Sequence, residues 1–525
     1  MNKGGNPGDL HSPLMEIGDH SERQKEQNME ISFESREIVA YREFAHQVRR
    51  VQESAECVVP DTDADIEKIV TVQSAVLLKS KDLSARGVLV SGELAASVLY
   101  IGEGQGRLSA LRLRKPFTME FEAEGLVSET MAQIALRLQG ADLRLINPRK
   151  ISVLFDVEGE LSCYGSEKLP TEVRIPEDTP GLHARTESRS IPFLNAVCEK
   201  SVAINEQFVF PAEPVPERLC AEKARLSVMD CQLLGSKMIV KGSLMLTVCA
   251  LTEEGDKPLF ADFEAPFSQI VDVGAERMEV SRVRPEITGS YFDLVDTING
   301  QKALDAEVHA VLQLVCCESR EVSCVTDAYS NLMPAELRSR TRELLPDFSV
   351  RTKRLSARER VGLMENCAEL LRTFLSISRI TAEGGKLSAT VALDFLYRND
   401  EGKLSACRRT LNLSGEAEES QLQILSLGQL KVETVPDGEF VDCAITLDLD
   451  YLDRRKESFT TVEGVILDED RAYAQGSLPS LTLIRREGES LWTLAKKYHS
   501  SEEKIRELNA DADSSTRMLL IPKCV

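Results

Sequence analysis

The sequence predicts a multidomain protein: three β-rich units, sandwich-like or β-rich α+β, followed by a small βααβ module. Three observations carry this expectation. The chain has 525 residues, an alternating apolar pattern recurs three times, and the apolar period changes from two to 3.6 near residue 490. A chain this long exceeds one hydrophobic core and divides into about three or four domains. Apolar residues make up 42% and charged residues 28%, the usual balance of a globular protein in water.

Residues 1–30 are polar and rich in Gly, Asn and charge, the composition of a disordered leader. They lack the apolar run of a secretory signal, and no stretch of the chain approaches 18 apolar residues. No transmembrane segment and a cytoplasmic location are therefore expected.

The first unit spans 31–164. Ile69 to Val72, Gly87 to Leu94 and Ala95 to Ile101 alternate with period two, the mark of half-buried strands. The turn Gly102-Glu103-Gly104-Gln105-Gly106 leads to another alternating run, Leu108 to Phe117. Its glycines lie between two strands rather than before a helix, so they predict a hairpin and not a phosphate loop. Residues 165–190, rich in Pro, Glu and Thr, read as a linker.

The second unit, 191–330, repeats the pattern. Ile239 to Val248 matches the first run, with Gly242 in the place of Gly92. Gly92 to Phe117 and Gly242 to Phe267 are both 25 residues. The turn Thr252-Glu253-Glu254-Gly255-Asp256 lies between. Residues 331–348 read as a helical linker, with Pro334 opening and Pro346 stopping a segment of helical composition.

The third unit, 349–475, carries Leu387 to Tyr397, the turn Asn399-Asp400-Glu401-Gly402, and a run to Leu411. Each unit closes with one more alternating run: Ile151 to Leu161, Ala303 to Val315, and Val441 to Leu452. The anchors Gly92, Gly242 and Ala389 lie 150 and 147 residues apart, too far for a solenoid repeat.

The last segment, 480–525, changes character. Leu481 to Ile484 is a short strand, Gly488 a turn, and Ser490 a helix N-cap. Leu491, Leu494, Ala495 and Tyr498 make one apolar helical face. Ser500 and Glu503 read as a capping box for a second helix, with Ile505 and Leu508 on its buried side and Asn509 as a left-handed cap. Met518 to Ile521 returns as a strand that Pro522 stops.

Charge and motifs exclude several functions. Net charge is −22; from Leu481 onward eight Lys or Arg oppose seven Asp or Glu, so the remainder carries −23. Such a body repels phosphate backbones and anionic lipid, and no nucleic acid partner is expected. The 13 cysteines include no C-x-x-C pair and are not accompanied by His at finger-like spacing, so reduced core thiols and no metal are expected. His183 and His309 are isolated, and Asp468-Glu469-Asp470 reads as a solvated turn. No Walker A, H-E-x-x-H or G-x-S-x-G motif is present. Neither catalytic residues nor a cofactor are expected.

The strings G-E-S-L-W, L-N and L-L-I-P in the last segment resemble the LysM family. That resemblance implies a shallow groove for N-acetylglucosamine polymers, with Gly488, Glu489, Ser490 and Leu491 on one wall and Asn509, Ala510 and Asp511 on the other. Ser514-Ser515-Thr516-Arg517 stands where the family usually has a Pro-Gly turn. The V-x-V-x-G-x-L strand, glycine turn and distant Phe resemble the SPOCS domain of endospore coat proteins. Three such copies before a LysM module resemble SPOCS-plus-LysM coat morphogenetic proteins. This implies a non-enzymatic adaptor in the mother-cell cytoplasm at the forespore surface, docking a SpoIVA-like coat-assembly ATPase. The alternative implied by LysM is binding of peptidoglycan, cortex or chitin-like glycan.

Overall fold

The computed structural model describes residues 28–524, apart from 105, 177–178, 253–257, 345–348, 419–420, 474–479, 486 and 511–517. The expected leader, except residues 28–30, lies outside the described residues. A short β1 (Asn28–Ser32) precedes three units of common topology. Unit 1 holds β2 (Glu34–Val58), β3 (Ile66–Ser84), β4 (Gly87–Gly102), β5 (Leu108–Glu122), β6 (Met131–Asn147) and β7 (Lys150–Arg174). Unit 2 holds β8 (Leu182–Val209), β9 (Arg218–Leu234), β10 (Lys237–Leu251), β11 (Pro258–Asp272), β12 (Val280–Asp296) and β13 (Lys302–Ser330). In unit 3 the long outer strands are broken. It comprises β14 (Ala335–Leu344), β15 (Arg351–Gly362), β16 (Glu369–Glu383), β17 (Lys386–Arg398), β18 (Leu404–Glu416), β19 (Leu422–Asp437), β20 (Phe440–Asp453) and β21 (Glu457–Asp468). The C-terminal module is β22 (Leu481–Arg485), α1 (Leu491–Lys497), α2 (Glu502–Leu508) and β23 (Met518–Pro522).

Each unit is a sandwich. Three consecutive inner strands form one antiparallel sheet, β3-β4-β5, then β9-β10-β11, then β16-β17-β18. The outer strands form the facing sheet, in the orders β2-β7-β6, β8-β13-β12 and β15-β20-β19. The facing sheets of units 1 and 2 meet edge to edge, with Tyr41 opposite Leu194. Alternation explains the packing: Val90, Leu94, Ala96 and Val98 of β4 enter the unit 1 core with Phe117, Phe155 and Val157.

The recurrent Gly-to-Phe spacing is a register mark. Gly92 pairs directly with Phe117, and Gly242 with Phe267. A Cβ on Gly92 would lie 2.3 Å from the Phe117 ring, and one on Gly242 2.4 Å from the Phe267 ring. The ring therefore lies over the glycine across the strand pair. In unit 3 the corresponding anchor Ala389 faces Leu413, where the smaller side chain leaves room for a methyl.

The segments expected as spacers are strands. Residues 165–174 continue β7 in register with β2, from Arg42 opposite Gly165 to Glu34 opposite Arg174. Residues 182–190 begin β8, paired with the end of β13. The helical linker expected over 331–348 is corrected as well. Ala335–Leu344 is β14, paired with β21 from Ala335 opposite Leu467 to Leu344 opposite Glu457; Leu345 and Pro346 lie outside the described residues. A helix of ten residues is marginal by itself, and cross-strand pairing overrides its propensity. Asn28 to Glu30, assigned to the leader, pair with the other edge of β21.

These extensions form legs that converge on a hub. Ile31, Phe33, Val173, Leu182, Val325, Val465 and Leu467 pack in one cluster there. The inner sheets meet in a second shared cluster, with Leu99, Ile101, Cys249, Leu251, Leu396 and Leu404 among its members.

Between the units lies a buried polar junction on Glu160, 2% exposed. Its carboxylate accepts from Arg137 Nη2 at 2.6 Å in its own unit and from Gln423 of unit 3. His46 stands 3.3 Å away, and Arg284 of unit 2 lies at 3.6 Å. Burial opposes ionisation, but Arg284, His46 and Arg137 outweigh it and hold the Glu160 carboxyl well below its usual range. One carboxylate thus ties together all three units.

Candidate binding site

The C-terminal module builds its small core from both helices and both strands: Ile484, Leu494, Ala495, Ile505, Leu519 and Ile521 are buried. Leu491, Trp492 and Tyr498 pack at its margin. Ser490 caps α1, its hydroxyl accepting from the Thr493 N–H at 3.1 Å. The cap of α2 lies one residue later than expected. Ser501 accepts from the Lys504 N–H at 3.2 Å, and Ser500 lies buried just before it. Leu508 is also corrected: it is 48% exposed, not on the buried side.

Of the seven residues assigned to groove walls, six are described. Gly488 is exposed with φ of +95°, the left-handed side that favours glycine, and a Cβ there would meet nothing within 4 Å. Glu489 is half-buried and forms an ion pair with Lys497 at 3.5 Å. Ser490 is exposed but its hydroxyl serves the helix cap, and Leu491 is half-buried against the core. Ala510 is exposed on the other side.

Asn509 is not in the left-handed region, since its φ is −124°. Its amide clamps α2 to β23 instead. Nδ2 donates to the carbonyls of Ile505 and Leu520, both at 2.7 Å, and Oδ1 accepts from the Leu520 N–H at 2.9 Å. Those three bonds leave it little capacity for a ligand. Asp511, and Ser514 to Arg517 in place of the usual turn, lie outside the described residues.

Sequence reasoning missed what holds the module. The end of β13 presents Asp327, Tyr329 and, just beyond, Asn331. Trp492 Nε1 donates to Asp327 at 2.9 Å, and Lys496 Nζ lies 2.8 and 3.1 Å from its two oxygens. Burial alone would raise the Asp327 carboxyl, yet these bonds hold it below its ordinary value. Tyr329, 3% exposed, enters the module's core cluster and donates to the Ser500 carbonyl at 2.9 Å. Its ring meets Trp492 edge-on at 4.9 Å and stacks on His183 at 5.1 Å. Asn331 Nδ2 donates to the Cys524 carbonyl at 2.6 Å, and Tyr473 packs on His499 at 3.7 Å. The one available signal was Trp492, the single Trp of the chain, which stands off the Leu491-Leu494-Ala495-Tyr498 face.

The module is therefore mounted on the hub by one side of α1 and by its C-terminal end, while Gly488, Ser490 and Ala510 stay open. Among the described residues no group of His, Cys, Asp and Glu is arranged to hold a metal, and no helix is long and apolar enough to cross a membrane. All 13 cysteines are free thiols, nine of them buried.

Comparison with protein families matches two stretches of the chain. Residues 65–146 match the family described as SipL, SPOCS domain, and residues 486–521 match the LysM domain. The first stretch covers β3, β4, β5 and all but the last residue of β6; the second covers α1, α2 and most of β23. The chain thus carries a SPOCS domain and a LysM domain, and in that combination resembles SipL. No curated protein and no solved structure matches it.

Proposed function

We propose that this protein is a non-enzymatic adaptor of endospore coat morphogenesis, acting on the cytoplasmic side of the forespore surface. The three units are SPOCS repeats in this reading, and they dock a SpoIVA-like coat-assembly ATPase while the LysM module makes a separate contact. The observation that carries it is the mount. Asp327, Tyr329 and Asn331 hold the module on the hub where the legs of all three units converge, with its open edge outward. Two weak contacts on one rigid frame gain from effective concentration. In sporulating cells a fluorescent fusion of the full chain is expected to encircle the forespore. A signal diffuse throughout sporulation would overturn the proposal.

The exposed Gly488, Ser490 and Ala510 favour a second reading, in which the LysM groove takes a glycan of N-acetylglucosamine. Titration with chitin oligomers separates the two. Saturable binding that is lost in Ala510→Trp supports the glycan; no binding leaves the module to protein docking. Ala510 is a better target than Leu491, because Leu491 packs against the module core.

A further inference from the structure

A cavity of about 740 Å³ lies where the three units meet. Its walls come from β3, β4, β5 and β6 of unit 1, β9 and β12 of unit 2, and β16, β19 and β20 of unit 3. In a chain of net charge −22, this lining runs the other way: seven Lys or Arg face it against four Asp or Glu.

Most of those cations are committed. Arg112 is paired with Glu222, Arg114 with Glu93, and Arg137 with Glu158 and Glu160. Arg282 donates to the Tyr164 hydroxyl at 2.6 Å. Three are left. Lys223 and Arg225 alternate along β9 with Ala224 and Leu226, which pack into their own unit's core. Period two therefore sends Lys223 and Arg225 out of that sandwich, toward the cavity. Lys223 forms no ion pair among the described residues, and the charge acting on it is the like charge of Arg225. Arg225 Nη2 is buried without a hydrogen-bond partner. Asp450, the acid it faces, already accepts from Thr352 at 2.7 Å and Ser426 at 2.5 Å. Arg284 Nε and Nη2 are likewise buried and unbonded, with Glu160 at 3.6 Å.

Burial disfavours the charged form of each of these groups and lowers the pKa of all three. Buried cations with unmet donors are costly unless something completes them. Leu77, Leu138, Ile377, Leu425 and Leu427 give the lining an apolar part, beside Gln73, Gln139 and several serines. Size, position between units and a few convergent polar groups on an apolar wall are the features of a small-molecule site.

We propose that this cavity binds one small organic anion, whose acidic group is met by Lys223, Arg225 and Arg284 and whose apolar body lies against the leucines. The site shares no residue with the LysM groove, and its test needs no coat partner.

The probe is 8-anilinonaphthalene-1-sulfonate, an apolar anion that fluoresces when sheltered from water, titrated into the full chain. N-phenyl-1-naphthylamine, which lacks the sulfonate, is the neutral control. One saturable sulfonate site per chain is expected, weakened about tenfold or more in Lys223→Met and again in Arg225→Met, as for loss of a charge-assisted hydrogen bond. Binding of the neutral probe should be unchanged by either substitution. Both replace a cation whose charged form burial already disfavours, so the fold should persist; far-ultraviolet circular dichroism and the melting point check this. Equal affinity of the wild type and both folded variants for the sulfonate would overturn the site. So would the absence of saturable binding, or the same loss for the neutral probe.

Discussion

Asp327→Ala removes the acceptor shared by Trp492 and Lys496 while leaving the apolar packing of the hub in place. The Trp492 N–H, 2.9 Å from the carboxylate, loses a charged partner in a half-buried setting, a change of about 1.5–3 kcal/mol. Lys496 is 44% exposed, so solvent screening leaves its ion pair about 0–1 kcal/mol. Together these weaken the mount by roughly 2–3 kcal/mol, or a factor of about 30 to 150 in the ratio of seated to unseated module. Because Trp492 is the only Trp, intrinsic emission reports on this contact alone. The variant should show red-shifted emission and faster acrylamide quenching, with the melting of the three-unit body unchanged. Unaltered emission and quenching would refute the assignment of Asp327 as a holding residue and leave Tyr329 and Asn331 to carry the mount.

Three further outcomes rest on other parts of the molecule. Gly92→Ala should lower stability by about 1–2 kcal/mol, the strain of overpacking less the entropy gained in the unfolded chain. Adding Phe117→Leu, which copies the Ala389 and Leu413 pair of unit 3, should restore part of it, read as a favourable coupling in a double-mutant cycle of melting points. Burial raises the Glu286 carboxyl from 4.5 to about 7, against the pull of Arg284. The folded chain keeps a proton there that the unfolded chain loses near pH 4.5, so stability falls as pH rises from about 4.5 to about 7. Glu286→Gln should therefore melt higher than wild type at pH 8 and alike at pH 4.5; the same difference at both pH values would sink this reading. Thiol titration of the native chain should find at most the four half-buried cysteines, Cys57, Cys198, Cys231 and Cys524, reacting quickly. Burial shelters the others and pushes Cys316 and Cys317 up to about 12.

The sandwich units were legible because alternation is a local property of each strand, and the Gly-to-Phe spacing because a hairpin with equal arms places residue 92 opposite 117. The module's helices were legible through Ser490 and the apolar face, although the second cap fell on Ser501. The legs were not. Residues 165–174 and 335–344 are polar on one face, and their partners lie 113 to 140 residues away in sequence, beyond any local signal. Their Pro, Glu and Arg content looks like that of a spacer, and only pairing makes them strands. The junction on Glu160 was hidden for a related reason: a charged residue in an alternating strand reads as solvent-facing until a second unit covers it. Of the residues assigned to the groove, Gly488 and Ser490 are exposed, and Ser490 also caps α1. Asn509, assigned to the other wall, bonds α2 to β23 through contacts with Leu520 that lie 11 residues apart and carry no local signal.

The adaptor reading is tested most directly by affinity capture from sporulating cells, with the full tagged chain compared to Ala510→Trp and Asp327→Ala. Truncation before Leu481 is a poorer comparison, since it would uncover Tyr329. The account predicts that the full chain retains a coat-assembly ATPase of the SpoIVA kind, and that both variants retain less of it. Failure of the full chain to retain any such ATPase, with glycan binding intact, would contradict it.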